Sequence, residues 1–159
     1  MRMPELLSPE NELVITRKFK APRDLVFRIW TEPTHMKRWI CPKDFIVLDV
    51  EVNLTVGGKW RSGMRAPTGA DYYMRGVYQV IKRPERLVFT HSWEDDTQPG
   101  HIPGHETLIT ITLDELNGIT TMIFHVANLE SIEGREGQRM GWSEAFDHFE
   151  EELATLTDK

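Results

Sequence analysis

Trp142, Phe146, Phe149, Leu153 and Leu156 step by four, three, four and three residues. That spacing marks one face of an α-helix, and Glu144, Asp147, Glu150 and Glu151 fall on the opposite side. Burying each large apolar side chain contributes about 1.5–3 kcal/mol, so this stripe demands a cover. Whatever else the chain forms has to present an apolar surface wide enough for a long helix.

The rest of the sequence reads as that surface. Leu13, Ile15 and Phe19 alternate with Val14, Thr16 and Lys18, the period of a strand with unlike faces, and Arg17 falls on its apolar face. Pro22 stops this strand and suits the first turn of a helix, where Val26, Ile29 and Trp30 follow at helical spacing. Thr31-Glu32-Pro33 breaks the helix, and 34–39 reads as a second short one. Period two then takes over. In 46–52, Ile46, Leu48, Val50 and Val52 share a face. Gly57-Gly58 turns the chain into 59–64, with Trp60 and Met64 on one side. In 72–82, Met74, Gly76, Tyr78 and Val80 share a face, and in 87–93 Leu87, Phe89, His91 and Trp93 do. A breaker-rich stretch, 94–105, reads as an exposed loop. Asn117-Gly118 then joins strands 107–113 and 120–127 as a hairpin. Ser131 is placed to cap the last helix, whose first turns are weakened by Gly134, Gly137 and Gly141, each by up to ~1 kcal/mol relative to alanine.

The pattern defines an α+β chain: one strand, two short helices, six more strands, and a long helix. The spacing predicts that Trp142, Phe146 and Phe149 pack against the sheet face carrying Trp60, Tyr78 and Phe89. With 159 residues and no repeat or linker, 12–159 is expected to be a single domain preceded by a flexible tail, 1–11. A net charge of −6 argues against a nucleic-acid partner or an anionic-membrane surface. No apolar run approaches the ~20 residues of a membrane span, and 1–9 lack a signal-peptide core. Cys41 is the only cysteine, which excludes an intramolecular disulfide, and a cytoplasmic location is expected.

Several motifs fall in a familiar order: Arg17 with Ala21-Pro22; Val26-Phe27 with Trp30, Thr31 and Pro33; Trp39; Gly57-Gly58; Gly76-x-Tyr78-x-Val80; Pro84-Glu85-Arg86-Leu87; Gly118-x-Thr120; and Gly141-Trp142. In this order and spacing, over about 12–155, the chain resembles the START-like (SRPBCC) superfamily. Within it, the chain resembles the group related to the activator of the ninety-kilodalton heat-shock protein ATPase. The resemblance implies a helix-grip fold, in which a curved seven-stranded antiparallel sheet wraps the long C-terminal helix and leaves a cavity between them. Members include lipid carriers, hormone receptors, aromatic polyketide cyclases and a co-chaperone with an additional N-terminal domain, for which this chain has no room.

On that geometry the expected cavity wall comprises Arg17, Trp30, Trp39, Leu48, Trp60, Met64, Gly76, Tyr78, Phe89, His91, Trp93, Ile111, Phe124, Trp142, Phe146 and Phe149. The rings also have a plainer role as core filling. Gly76 offers a small wall position. Arg17 and His91 interrupt apolar faces; Arg17 either meets a carboxylate, as a buried cation requires, or faces a polar cavity. His91 is either a satisfied core histidine or a ligand contact. If both face the cavity, an acidic or carbonyl head on an apolar body is favoured.

Catalytic constellations are poorly supported. His101-x-x-x-His105 has a metal-like spacing, but Pro103-Gly104 forbids the helix that would align both rings. Cys41, near Lys37, Arg38 and Lys43, has no identifiable base. Ser92 and Ser143 lack a nucleophile-elbow pattern. The leading expectation is reversible binding of a small hydrophobic or amphipathic molecule, with no cofactor, no metal and no catalytic residue. A chaperone-associated protein-interaction module linked to stress response is the alternative, and a cyclase- or aromatase-type enzyme the third. Monomer and homodimer are both open.

Overall fold

The computed structural model describes residues 11–94 and 104–157. Strand β1 (Leu13–Phe19) leads into helix α1 (Arg23–Thr31) and the single turn α2 (Pro33–Met36). Strands β2 (Ile46–Val52), β3 (Lys59–Arg65), β4 (Asp71–Lys82), β5 (Arg86–Trp93), β6 (Thr107–Leu116) and β7 (Ile119–Ala127) follow, then helix α3 (Ile132–Thr157). The expected tail, except Asn11, and most of the expected 94–105 loop lie outside the described residues.

The seven strands form one antiparallel sheet in the order β1-β7-β6-β5-β4-β3-β2. Consecutive strands from β2 to β7 are neighbours, and β1 closes the far edge beside β7. Asn117 and Gly118, at φ 54° and 78°, make the two-residue turn that joins β6 to β7. The sheet curls as a half-barrel around α3, the helix-grip arrangement. Ser131 Oγ accepts the Gly134 N–H at 2.9 Å, capping the start of α3.

Trp30 is the hub of the core. Its ring lies 6.1 Å from those of Phe124, Trp142 and Phe149, and 4.7 Å from that of Trp39. Its indole N–H points at Met122 Sδ, 3.2 Å away. The helix α3 is therefore met from both sides, by the sheet and by α1.

Two bulges shift the strand phases read from the sequence. In β2 the register breaks between Val47 and Asp49, so Leu48 is the extra residue. Ile46 consequently turns out to 63% exposure, while Val47, Val50 and Val52 face the core. In β4 a second break between Tyr78 and Val80 sends Val80 outward and brings Ile81 onto the core. A period-two pattern carries no mark of an inserted residue, so the expected shared faces fail at Ile46 and Leu48 in β2 and after Tyr78 in β4.

The helix rings are buried against the inner face of the sheet as expected, and their nearest ring partners lie on β1 and β7. Phe149 stacks on Phe19 of β1 at 4.9 Å, and Phe146 and Trp142 pack on Phe124 of β7 at 5.1 and 5.0 Å. Trp60, Tyr78 and Phe89 form a separate group, with Phe89 5.5 Å from Trp60 and 6.0 Å from Tyr78. Trp30 joins the two groups through Phe89 at 6.2 Å.

Candidate ligand pocket

Along one flank of α3, Gly137, Gly141 and Ala145 step by four and leave the helix surface bare. The segment 40–45 faces that flank, with Pro42 the nearest neighbour of Gly141. Between this flank, Ile40, Cys41, Pro42 and Phe45, and the inner faces of β3–β5 lies a pocket of about 350 Å³. Met64, Met74, His91 and Trp93 come from the sheet, and Gln138 and Trp142 from the helix. A stripe at steps of four, three and four forms its outer ridge: Glu133, Gly137, Met140 and Glu144. Met140 is 64% exposed, and a Cβ added at Gly137 would meet nothing within 4 Å. The ridge thus has a notch at Gly137, where the pocket opens.

Polar groups are few and specifically placed. Gln138 is 5% exposed; its Oε1 accepts the Trp142 indole N–H at 3.3 Å, and its amide nitrogen has no hydrogen-bond partner among the described residues. The carboxamide is thereby held with unspent donors at the pocket wall. His91 is buried between rings, 5.4 Å from Trp93 and 6.1 Å from Trp60 and Trp142. Cys41 Sγ reaches the Phe45 carbonyl at 3.5 Å, and burial pushes its thiol pKa up to about 11. A thiol held protonated is a wall, not a nucleophile. Glu144 accepts the Lys43 backbone N–H at 3.3 Å.

Of the residues expected at the cavity, Met64, His91, Trp93 and Trp142 line this pocket. Trp30, Trp39, Phe89, Ile111, Phe124, Phe146 and Phe149 instead fill the closed core, together with Trp60 and Tyr78. Burial pushes the Tyr78 phenol pKa up as well. Leu48 sits at the β2 bulge, away from the lining.

Arg17 also leaves the cavity. Its guanidinium donates to Asp147 Oδ1 at 3.0 Å, Glu150 Oε1 at 3.2 Å and the Ser143 carbonyl at 3.0 Å, tying β1 to the outer side of α3. Without Arg17, the case for an acidic ligand head loses its cation.

Gly76 is a point of close backbone approach, not a vacant wall. A Cβ there would collide with the Thr90 carbonyl oxygen and crowd the Trp60 indole nitrogen at 2.5 Å. The β4–β5 pairs run Met74↔Trp93 and Arg75↔Ser92, then resume at Tyr78↔Phe89. In the gap, Trp60 donates its indole N–H across Gly76 to the Thr90 carbonyl at 3.2 Å, and Thr90 Oγ1 accepts the Val77 N–H at 2.9 Å. Only glycine lets the indole cross here.

Sequence reasoning missed the 40–45 wall, Met74 and Gln138. Gln138 had a signal: it lies four residues before Trp142 on the apolar stripe. It also missed the buried carboxylate of Glu152, 2.7 Å from His35 Nδ1, which pins α2 to α3. His105 lies 2.7 Å from the Asn128 carbonyl through Nε2, and His101 is outside the described residues. Among the described residues no cluster of three or more His, Cys, Asp or Glu side chains could hold a metal ion, and no helix is long and apolar enough to cross a membrane.

A half-barrel sheet gripping one long helix, with a pocket beside the helix, defines a helix-grip protein of the START-like class. The model of the family described as activator of Hsp90 ATPase homolog 1-like protein matches residues 20–154, and the chain belongs to that family. Solved structures agree in fold. The AHSA1 protein of Silicibacter pomeroyi superposes with a TM-score of 0.80 at 23% identity, covering 91% of this chain and 99% of its own. A protein of Nitrosomonas europaea gives 0.79 at 23% identity, with 96% and 100% covered. One from Arthrobacter aurescens gives 0.78 at 25% identity, with 92% and 87% covered. No curated protein matches the sequence.

Proposed function

We propose that this protein reversibly binds a small apolar or amphipathic molecule in the pocket beside α3. The observation that carries the reading is an apolar space of about 350 Å³ whose wall holds a buried amide with unspent donors. That volume lies within the range of small-molecule sites, which are mostly apolar with a few fixed polar groups. The neighbouring half of the helix–sheet interface is filled by rings, so the space reflects small side chains on α3 rather than loose packing throughout.

N-phenyl-1-naphthylamine, an uncharged probe that brightens in apolar surroundings, tests the reading. It should bind one-to-one and quench tryptophan emission. Gly137→Leu places an isobutyl group in the notch without a clash at its Cβ, and relieves a helix glycine that costs up to about 1 kcal/mol. The variant should be at least as stable as the parent and should lose the probe, while Trp142→Ala should weaken binding by removing a wall. A folded Gly137→Leu protein that binds the probe unchanged would place the ligand on an outer surface and leave the protein-partner reading in its stead.

A further inference from the structure

We infer that the pocket selects amphiphiles with a cationic head, an alkyl- or aryl-ammonium, over carboxylates of the same body; this rests on the pocket being the binding site. The charges around the opening are one-sided. Glu133 and Glu144 lie on the ridge at either side of the Gly137 notch, and among the described residues no lysine or arginine lines the pocket. Three nearby arginines are held elsewhere: Arg17 faces Asp147 and Glu150, and Arg135 and Arg139 both pair with Glu136. Lys43 meets Glu144 through its backbone N–H, and its ammonium has no ion pair among the described residues. Glu133 has no ion pair or hydrogen bond among the described residues.

The interior suits the same class of ligand. Trp93 and Trp142 put aromatic rings, whose π-systems attract cations, in the pocket wall, and Met64 and Met74 offer polarisable walls to an alkyl or aryl body. The positive end of the α3 dipole acts only within the first turn, where Glu133 itself sits, whereas the notch lies beyond it. An incoming ammonium passes between carboxylates one turn before and two turns after Gly137. A carboxylate head meets repulsion from both and finds no guanidinium inside.

Octyltrimethylammonium, 1-octanol and octanoate carry a cationic, a neutral and an anionic head on an eight-carbon body, and each can be measured by displacement of the uncharged naphthyl probe. Exposed carboxylates contribute modestly, so the ammonium should bind roughly tenfold tighter than the alcohol, and octanoate correspondingly weaker. Glu133→Gln with Glu144→Gln should bring the three affinities together, and high salt should do the same to the parent. Glutamine keeps an acceptor for the Lys43 N–H, and the single variants provide a second comparison if the double variant loses helicity. An alcohol that binds as tightly as the ammonium, a preference for octanoate, or a charge preference that survives both substitutions would overturn the inference and leave the pocket reading standing. Failure of all three ligands to displace the probe would instead remove the pocket as their site, and both readings with it.

Discussion

The two halves of α3 run along the same sheet and end up in opposite states. From Phe146 onward the helix presents Phe146, Phe149 and Leu153, and these are buried against Phe19, Phe124, Trp30 and Trp39. Before Phe146 it presents Gly137, Gly141 and Ala145 on one flank, and the same inter-layer gap stands open. Backbone and topology hardly differ between the halves. Side-chain size on the helix decides which part becomes core and which becomes pocket, and Trp142 is the partition, packed on Phe124 while its ring also lines the pocket.

Truncation should separate the halves most clearly. Phe146→Ala, in the closed half, should cost about 3–5 kcal/mol in denaturant unfolding, because its cavity has no route to collapse. Met74→Ala, on the pocket wall, should fall near the low end, about 2 kcal/mol, since that side already faces space. Equal losses at the two positions would erase the distinction. Overpacking gives the next effect. Gly76→Ala forces a methyl onto the Thr90 carbonyl and should destabilise by about 1–3 kcal/mol without filling the pocket. Native-like stability in that variant would show that the Trp60–Thr90 bond is not held as described.

The smallest effect is a pH dependence. The Cys41 thiol has an ordinary value of 9.0 and sits at about 11 in the fold, so the unfolded chain releases its proton first. Its contribution is fully present below pH 9 and is lost as the pH rises through 11. Tyr78 is also raised, so the informative quantity is the difference between the parent and Cys41→Ser. The melting temperature of the parent should fall more steeply than that of the variant between pH 9 and 11. Parallel curves would mean that the thiol is not buried at the wall.

The element order was legible because hydrophobic period is a strong signal over seven strands and a long helix. Val26, Ile29 and Trp30 announced α1, and Asn117-Gly118 announced its hairpin. The bulges at Leu48 and beyond Tyr78 were not legible, because one inserted residue inverts the faces that follow without changing composition. The pocket was legible only in part. Large residues announce burial, so every tryptophan was expected at the cavity, whereas a cavity is made by what is missing. Gly137 and Gly141 were visible only as helix weakeners, and their shared flank acquires meaning once 40–45 is seen opposite. For Arg17 the expected carboxylate pairing is the one found, but its partners, Asp147 and Glu150, could not be named because they lie 130 and 133 residues away.

The division between closed core and open pocket can be observed at once in the indole N–H resonances of the five tryptophans, recorded while the uncharged naphthyl probe is titrated in. Trp93 and Trp142 line the pocket, whereas Trp30 and Trp39 lie in the core with their N–H groups held by Met122 and Ile29. Saturable shifts of Trp93 and Trp142, with Trp30 and Trp39 nearly still, are the expected result. Shifts centred on Trp30 and Trp39, or a bound probe that moves neither Trp93 nor Trp142, would contradict it.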